Sequence, residues 1–438
     1  MARLLRSLRQ FLGLTAQSSP SPSFLGPRSR FSRSIDTDFS YFREGDRALV
    51  ILSRGQRSLL TSPLRRGHRT ETPRGILDHD QIIGRRVRDQ VTTRKGTNYR
   101  VILPTLAQYI ALTPRHVTPI YARDASVIVS YLDIDVAPPG EGGDSPPPLE
   151  ILESGTGHGS LTLQLARAIQ AANTLPPPIP SKSQVKYLED SPTWPDSNGK
   201  DASGRPENEP ITENEDQTQQ QWDAWRAQRR AVIHTVEVSS TFSNHAEKIV
   251  RGYRRGIYAG NVDFYVGRVE NWIATQRRLR TPPSSPIICL GNTKPCEPFL
   301  THAILDMPSA HLRITHIAPI LKPNGILAVF MPSVTQIADC VDIIRKQRIP
   351  LDLDGVYELG TGLSGGRMWD VRSTTKKSKA DPGWEESSET MAEKIQTQDA
   401  PKETEDVIVC RPMAGTIIQG GGFVGFWRKM LVPEATTL

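Results

Sequence analysis

The stretch Leu149-Glu150-Ile151-Leu152-Glu153-Ser154-Gly155-Thr156-Gly157-His158-Gly159-Ser160-Leu161 decides the fold. Residues 149–153 read as a short strand. Glycines at every second position follow it. Behind them Leu161, Leu165, Ala168 and Ile169 fall near one stripe of a helix. Strand, glycine loop and helix open a doubly wound α/β sheet, in which the glycines let the backbone pass close beneath a ligand and the helix offers its N-terminal amides. A dinucleotide loop asks for G-x-G-x-x-G, but the last such position is Ser160, which disfavours an NAD oxidoreductase. The G-x-G-x-G spacing, with Glu153 just ahead of it, fits a loop holding the methionine part of S-adenosylmethionine, with Glu153 placed to contact the methionine amine. A purely structural turn is the alternative.

Downstream, strands and helices alternate, which implies a mostly parallel sheet covered on both faces. Residues 173–225, rich in Pro, acids, Gln and Asn, read as a disordered insertion. The pattern resumes at Ala231–Glu237, a strand ending in an acid. In doubly wound folds an acid there accepts hydrogen bonds from cofactor ribose hydroxyls, usually about 20 residues after the loop; the insertion accounts for the longer interval. A helix over 242–256 and a strand over 262–266 follow. Ala303–Asp306 is the next strand. A carboxylate at its end, Asp306, is placed to accept from an exocyclic amine of a substrate and to offset developing positive charge; a turn or helix-cap aspartate is the competing role. A helix around 311–321, a strand over 325–330 and a helix over 334–347 continue the series, the last with Val334, Ile337, Val341 and Ile344 as its core face. Residues 373–405 read as a second polar insertion. Val407–Cys410 and Gly422–Trp427 look like a closing pair of strands.

Upstream, residues 35–115 suggest a small β-rich N-terminal domain, with Ala48–Leu52, Ile82–Gly84 and Tyr99–Leu103 as β segments and a short helix at 104–109. Residues 124–134 read as a helix with Val127, Ile128, Tyr131 and Leu132 on one face, and a Pro/Gly-rich linker runs to Pro148. The main domain is expected over 116–438. Residues 1–34 carry Arg3, Arg6, Arg9, Arg28, Arg30 and Arg33, several serines and no acid, the composition of a mitochondrial transit peptide and hence of a matrix protein. A basic tail that touches RNA is the alternative.

The net charge of +7, from 54 Lys and Arg against 47 Asp and Glu, favours a polyanionic partner such as nucleic acid. Cys289, Cys296, Cys340 and Cys410 form no C-x-x-C pair, so neither a disulfide framework nor a metal site is expected. No apolar run approaches the roughly 20 residues that span a bilayer, so no membrane is expected.

Ile151–Thr162 resembles the E-x-G-T-G-x-G-S-L-T signature of the tRNA (adenine-58-N1)-methyltransferase catalytic subunit family. His79-Asp80-Gln81-Ile82-Ile83-Gly84 is similar to that family's H-D-x-I-I-G element, Leu103-Pro104-Thr105 to its L-x-P-T, Ile120-Tyr121 with Asp124 and Ile128 to its entry into the catalytic domain, and Asp306-Met307-Pro308 to its D-L-P. The resemblance covers about 40–372 and the terminal strands, without the two insertions. It implies a class I methyltransferase (Rossmann-like) sheet and transfer of a methyl group from S-adenosylmethionine to N1 of adenosine 58 in the tRNA T-loop, here as a mitochondrial, fungal-type member. Tyr121, Glu153, Gly155, Thr156, Gly157, His158, Gly159, Ser160, Leu161 and Glu237 would then bind the cofactor, and Asp306 would be catalytic. The resemblance also implies four subunits, as a homo-oligomer or paired with a non-catalytic subunit. The family pattern is broken where an acid that contacts the cofactor's adenine usually follows Gly267, replaced by Arg268. It is broken again at Ala310-His311 in place of Pro-Trp, and at Val117-Thr118 in place of Thr-Gln. A non-catalytic, tRNA-binding subunit and a methyltransferase for another substrate remain the alternatives.

Overall fold

The computed structural model describes residues 34–51, 58–139, 147–188, 213–281, 296–360, 369–375, 406–412 and 421–431. The expected leader, Ser34 apart, and residues 376–405 of the second insertion lie outside them.

The N-terminal domain contains β1 (Leu49–Ile51), β2 (Leu59–Leu60), β3 (Arg69–Thr72), β4 (Gly75–Asp78), β5 (Gln90–Thr92) and β6 (Asn98–Ile102). They form an antiparallel sheet ordered β2-β1-β6-β5 and a β3-β4 hairpin around Phe42, Val50, Leu64, Leu77, Ile82 and Val101. Ile82–Gly84, expected as a β segment, is instead the turn leaving a 3-10 helix at His79–Gln81. The H-D-x-I-I-G element is therefore structural. His79 Nδ1 accepts from the Arg65 amide at 3.1 Å, its Nε2 meets Thr70 Oγ1 at 2.8 Å, and Asp80 accepts from the Gly67 amide at 3.0 Å.

The main domain adds α1 (Leu106–Leu112), α2 (Ala122–Tyr131), β7 (Leu149–Ser154), α3 (Ser160–Ala168), β8 (Lys186–Tyr187), α4 (Glu213–Arg226), β9 (Ala231–Glu237), α5 (Ser240–Gly252), β10 (Val262–Val266), α6 (Val269–Arg280), β11 (Leu300–Leu305), α7 (Ile314–Ile317), β12 (Leu321–Met331), α8 (Val334–Lys346), β13 (Leu351–Leu359), β14 (Trp369–Thr375), β15 (Asp406–Pro412) and β16 (Gly422–Lys429). The sheet runs β13-β16-β12-β11-β7-β9-β10-β8. Its strands are parallel except β16, which is antiparallel to both β12 and β13. The doubly wound parallel sheet is as expected, and the chain reverses its winding between β7 and β11. β9 and β10 are buried along their whole length, as strands covered on both faces must be.

Several expectations change. The closing strands do not pair with each other: β15 pairs with β14 as a separate ribbon, while β16 enters the main sheet and buries Val424, Phe426 and Trp427. Helix α1, a capping-box helix started by Thr105 and Gln108, sends Leu106, Tyr109 and Ile110 into the main core, so the chain enters that core before residue 116. In α8, Val334 and Val341 are exposed, and Ile337, Cys340 and Ile344 face inward. In α2, Ala125 and Ile128 are buried, as is Leu132 just beyond its end, and the exposed Tyr131 stacks on Tyr357 at 4.0 Å.

The ends of the 173–225 segment are built into the fold rather than disordered. Asn173 donates to the Ala231 carbonyl and to Asn261, and accepts from the Arg230 and Ala231 amides. The Ser183 hydroxyl and the Gln184 amide both donate to Glu247. In α4, Trp222 and Trp225 are buried one helical turn apart, and Trp225 Nε1 donates to Thr174 Oγ1 at 2.9 Å. Arg226 and Arg229, at and just beyond its end, clasp the buried Asp263 of β10 at 2.6 and 2.8 Å.

The two domains are fastened by Arg255, which has a left-handed φ of 57°. Its guanidinium pairs with the buried Asp46 at 2.9 Å and donates to the Tyr41 and Asp38 carbonyls. Removing one partner of such a pair strands the other charge away from water. Arg255→Ala is expected to lower stability by about 3 kcal/mol in urea melts and to speed proteolytic cleavage between the domains. A loss within measurement error would show that Asp46 finds other partners.

Candidate active site

A cavity of about 580 Å³ opens at the carboxyl ends of β7, β9, β10 and β11, where ligands of open α/β sheets bind. Ser154, Gly155 and Gly157 form one wall, and Val236, Glu237, Val238 and Phe242 the next. Gly267, Arg268, Val269 and Glu270 close the β10 end, and Asp306, Met307, Pro308 and Arg313 the β11 end. Val117 and Thr118 reach in from the connection between α1 and α2.

The glycine loop is shaped by close approach. Gly155 has φ 97°, and a Cβ there would lie 1.9 Å from the Asp306 carbonyl oxygen, while the Asp306 amide donates to the Ser154 carbonyl at 2.8 Å. Gly159 has φ 81°, caps α3, and leaves a Cβ only 3.1 Å from Ala246. The loop thus passes against β11 at Gly155, which has no room for a side chain, and closely against α5 at Gly159.

Glu237 ends β9 with its carboxylate inside the cavity. One oxygen accepts from the Gly157 amide and the other from the Ser239 amide, each at 3.1 Å. Asp306 stands across the cavity. Burial, and then the nearby Glu237 charge, push its carboxyl up to about 7.

Glu153 sits differently from its expected contact with a ligand. It is enclosed beneath the loop, and one of its oxygens accepts from Thr162 at 2.6 Å and from Thr235 at 2.8 Å. Burial pushes its carboxyl up to about 8, against the pull of those two hydroxyls. Thr156 joins the same network through Thr235 at 2.7 Å. Of the expected ligand-binding residues, Gly155, Gly157 and Glu237 line the cavity with Asp306. Thr156, Gly159, Ser160 and Leu161 hold the loop or the first turn of α3 from behind. His158 packs near His245, with its Nε2 3.4 Å from Thr113 Oγ1, and burial pulls its imidazole down to about 4. Tyr121 precedes α2, and its hydroxyl accepts from Arg115 at 2.6 Å, away from the cavity lining.

Phe242, Val269, Glu270 and Arg313 were missed from sequence. The residues that directly follow each strand were the available signal: α6 begins two residues after Gly267, so its first turn must border the cavity.

The architecture is that of the class I S-adenosylmethionine-dependent methyltransferases. An S-adenosylmethionine-dependent O-methyltransferase from Thermotoga maritima shares it with a TM-score of 0.50 at 15% identity, over 90% of this chain and 97% of that one. Residues 41–86 match the family described as TrmI-like N-terminal. The chain is 33% identical over 121 residues to the tRNA (adenine(58)-N(1))-methyltransferase TrmI of Thermus thermophilus, covering 28% of this chain and 43% of that protein. It is 27% identical over 131 residues to the tRNA (adenine(58)-N(1))-methyltransferase catalytic subunit TRM61 of Candida albicans, covering 30% and 35%. The similarity thus spans less than half the length of these curated relatives. Over these stretches the chain is similar to tRNA (adenine(58)-N(1))-methyltransferases.

A carboxyl held near 7 in the folded protein and near 3.8 in the unfolded chain makes the folded form bind more protons between those values, so stability falls as pH rises through that window. Asp306→Asn removes the effect. Its melting temperature is expected to exceed that of the wild type by an amount that grows from about pH 4 to about pH 7 and then levels off. Scanning calorimetry across that range checks it, and a pH-independent difference would contradict the buried, charge-crowded environment of Asp306.

Proposed function

We propose that the chain transfers a methyl group from S-adenosylmethionine to N1 of an adenosine in tRNA, at position 58. The observation that carries this is the facing pair of carboxylates in the cavity, Glu237 beside the glycine loop and Asp306 at the switch point of the sheet. The cavity volume suits a nucleoside-sized ligand. The loop leaves no Cβ at Gly155, and Glu237, though it already accepts two amides, keeps lone pairs for ribose hydroxyls. These features fit S-adenosylmethionine, which supplies an electrophilic methyl group. The chain's own residues bind, align and exclude water. The Asp306 carboxylate accepts from the 6-amine of the target adenine, orients the ring and offsets the positive charge left on it after methylation. N1 is hidden in stacking or pairing, so the base enters extruded from its strand. The excess of basic residues and the β-rich domain hold the tRNA by its phosphates.

The Arg-rich residues 1–34 support a mitochondrial protein acting on tRNA of the matrix. The names of the relatives leave open a homo-oligomer or pairing with a non-catalytic subunit. A tRNA-binding subunit without activity is the second reading, favoured by Arg268 standing where an acid contacts the cofactor in the family pattern.

Only ionised Asp306 accepts a hydrogen bond from an amine through both oxygens. With its carboxyl near 7, the single-turnover rate of methyl transfer to a tRNA transcript is expected to rise with pH through about 7 and then level. Asp306→Asn is expected to lower the plateau by about 10²–10³ and to lose the inflection. An unchanged rate for Asp306→Asn would end this assignment. Absence of transfer together with absence of cofactor binding in calorimetry would favour the inactive subunit.

A further inference from the structure

The connection between α1 and α2 supplies one wall of the cavity, through Val117 and Thr118. Val117 rests against the glycine loop, its Cγ2 lying 3.5 Å from where a Cβ on Gly157 would stand. Yet among the described residues no backbone–backbone hydrogen bond ties 114–120 to the loop or to α5. Arg115 donates to the Tyr121 hydroxyl, which only joins the connection to its own end. What reaches across is an imidazole. His245 of α5 donates from Nε2 to the Pro114 carbonyl at 3.0 Å, since a carbonyl oxygen can only accept. Its ring meets His116 of the connection edge-on, with centroids 4.5 Å apart, and His158 of the glycine loop edge-on at 5.6 Å. Burial, and then His116 and Lys248, hold the His245 imidazole below its usual range, and burial does the same for His158. At neutral pH both therefore pack as uncharged rings. The next residue of α5, Ala246, lies against the loop at Gly159. Two successive residues of one helix thus bear on the loop and on the wall beside it.

We propose that His245 is a positioning residue for the cofactor: it clamps the connection between α1 and α2 against the glycine loop and so sets the wall formed by Val117 and Thr118. This rests on the cofactor assignment above. The wall that bears Asp306 is held separately, by the pairing of β11 with β7 and by the Asp306 amide on the Ser154 carbonyl. Loosening the clamp therefore opens the cavity to water beside the loop while leaving the β11 wall in place.

The test measures S-adenosylhomocysteine binding to the full chain by calorimetry, and single-turnover methyl transfer over a range of S-adenosylmethionine concentrations. His245→Ala removes both donor and ring. It is expected to weaken binding about tenfold and to raise the half-saturating S-adenosylmethionine concentration to match, with the saturated rate changed less. His245→Phe keeps a ring against His116 and His158 but loses the donor, and is expected to weaken binding about threefold. His245→Gln returns an N–H donor to Pro114 and is expected to stay within about twofold of the wild type. A histidine that served only the stability of α5 would lower the melting temperature of the ligand-free chain and leave the affinity of the folded protein unchanged. Unchanged affinity in folded His245→Ala protein, or a His245→Gln protein as weak as His245→Ala, would overturn the proposal while leaving the cofactor assignment intact. Failure of the wild type to bind S-adenosylhomocysteine at all would overturn both.

Discussion

The contact between the glycine loop and the end of β11 sets the geometry of everything around it. Gly155 lies so near the Asp306 carbonyl that a single added carbon would stand 1.9 Å from it. The Ser154 carbonyl and Asp306 amide join the same two strands from the other side at 2.8 Å. This is where the winding of the sheet reverses, and a crevice opens there because the connections leave in opposite directions. The close approach brings a ligand-cradling loop and a carboxylate to adjoining walls of one cavity. A side chain at Gly155 would push these walls apart.

Three carboxyl groups crowd this point and are treated differently by the fold. Glu237 is held by backbone amides, Glu153 is roofed over and accepts from Thr162 and Thr235, and Asp306 faces the cavity where burial and the Glu237 charge raise its carboxyl. The first suits ribose hydroxyls and the second braces the loop. The third is kept poised, at a cost in stability that a substrate amine or a cationic ring would relieve. Elsewhere some buried acids are paired with cations. Asp263 is held far below the usual carboxylate range by Arg229 and Arg226 despite its burial, and Glu150 is clasped by His234 and Arg280.

Strands β7, β9, β10, β11 and β12 were legible because each carries a short apolar run, and the glycine loop because its spacing has a backbone reason; the polar β8 and the charged β13 were not. Glu237 and Asp306 were legible from their places at strand ends. The rest was hidden for identifiable causes. Helix α4 reads as a polar, Gln-rich tract, yet Trp222 and Trp225 supply a buried face that composition averages away. Asn173 and Glu247 anchor the preceding segment through hydrogen bonds to backbone distant in sequence. Glu153 reads in the sequence as a ligand contact because its neighbour is the loop, but strand alternation turns it under that loop toward Thr162 and Thr235. β16 and β15 have similar apolar patterns, and only the sheet edge beside β12 distinguishes which of them enters the core.

Reverse-transcription mapping of a tRNA transcript incubated with the chain and S-adenosylmethionine tests the central claim most directly. A methyl group on N1 blocks the pairing edge of adenine. The account predicts a new cofactor-dependent stop at adenosine 58, absent when that base is replaced by guanosine. Methyl incorporation without a stop at that position, or stops unaffected by the replacement, would contradict it.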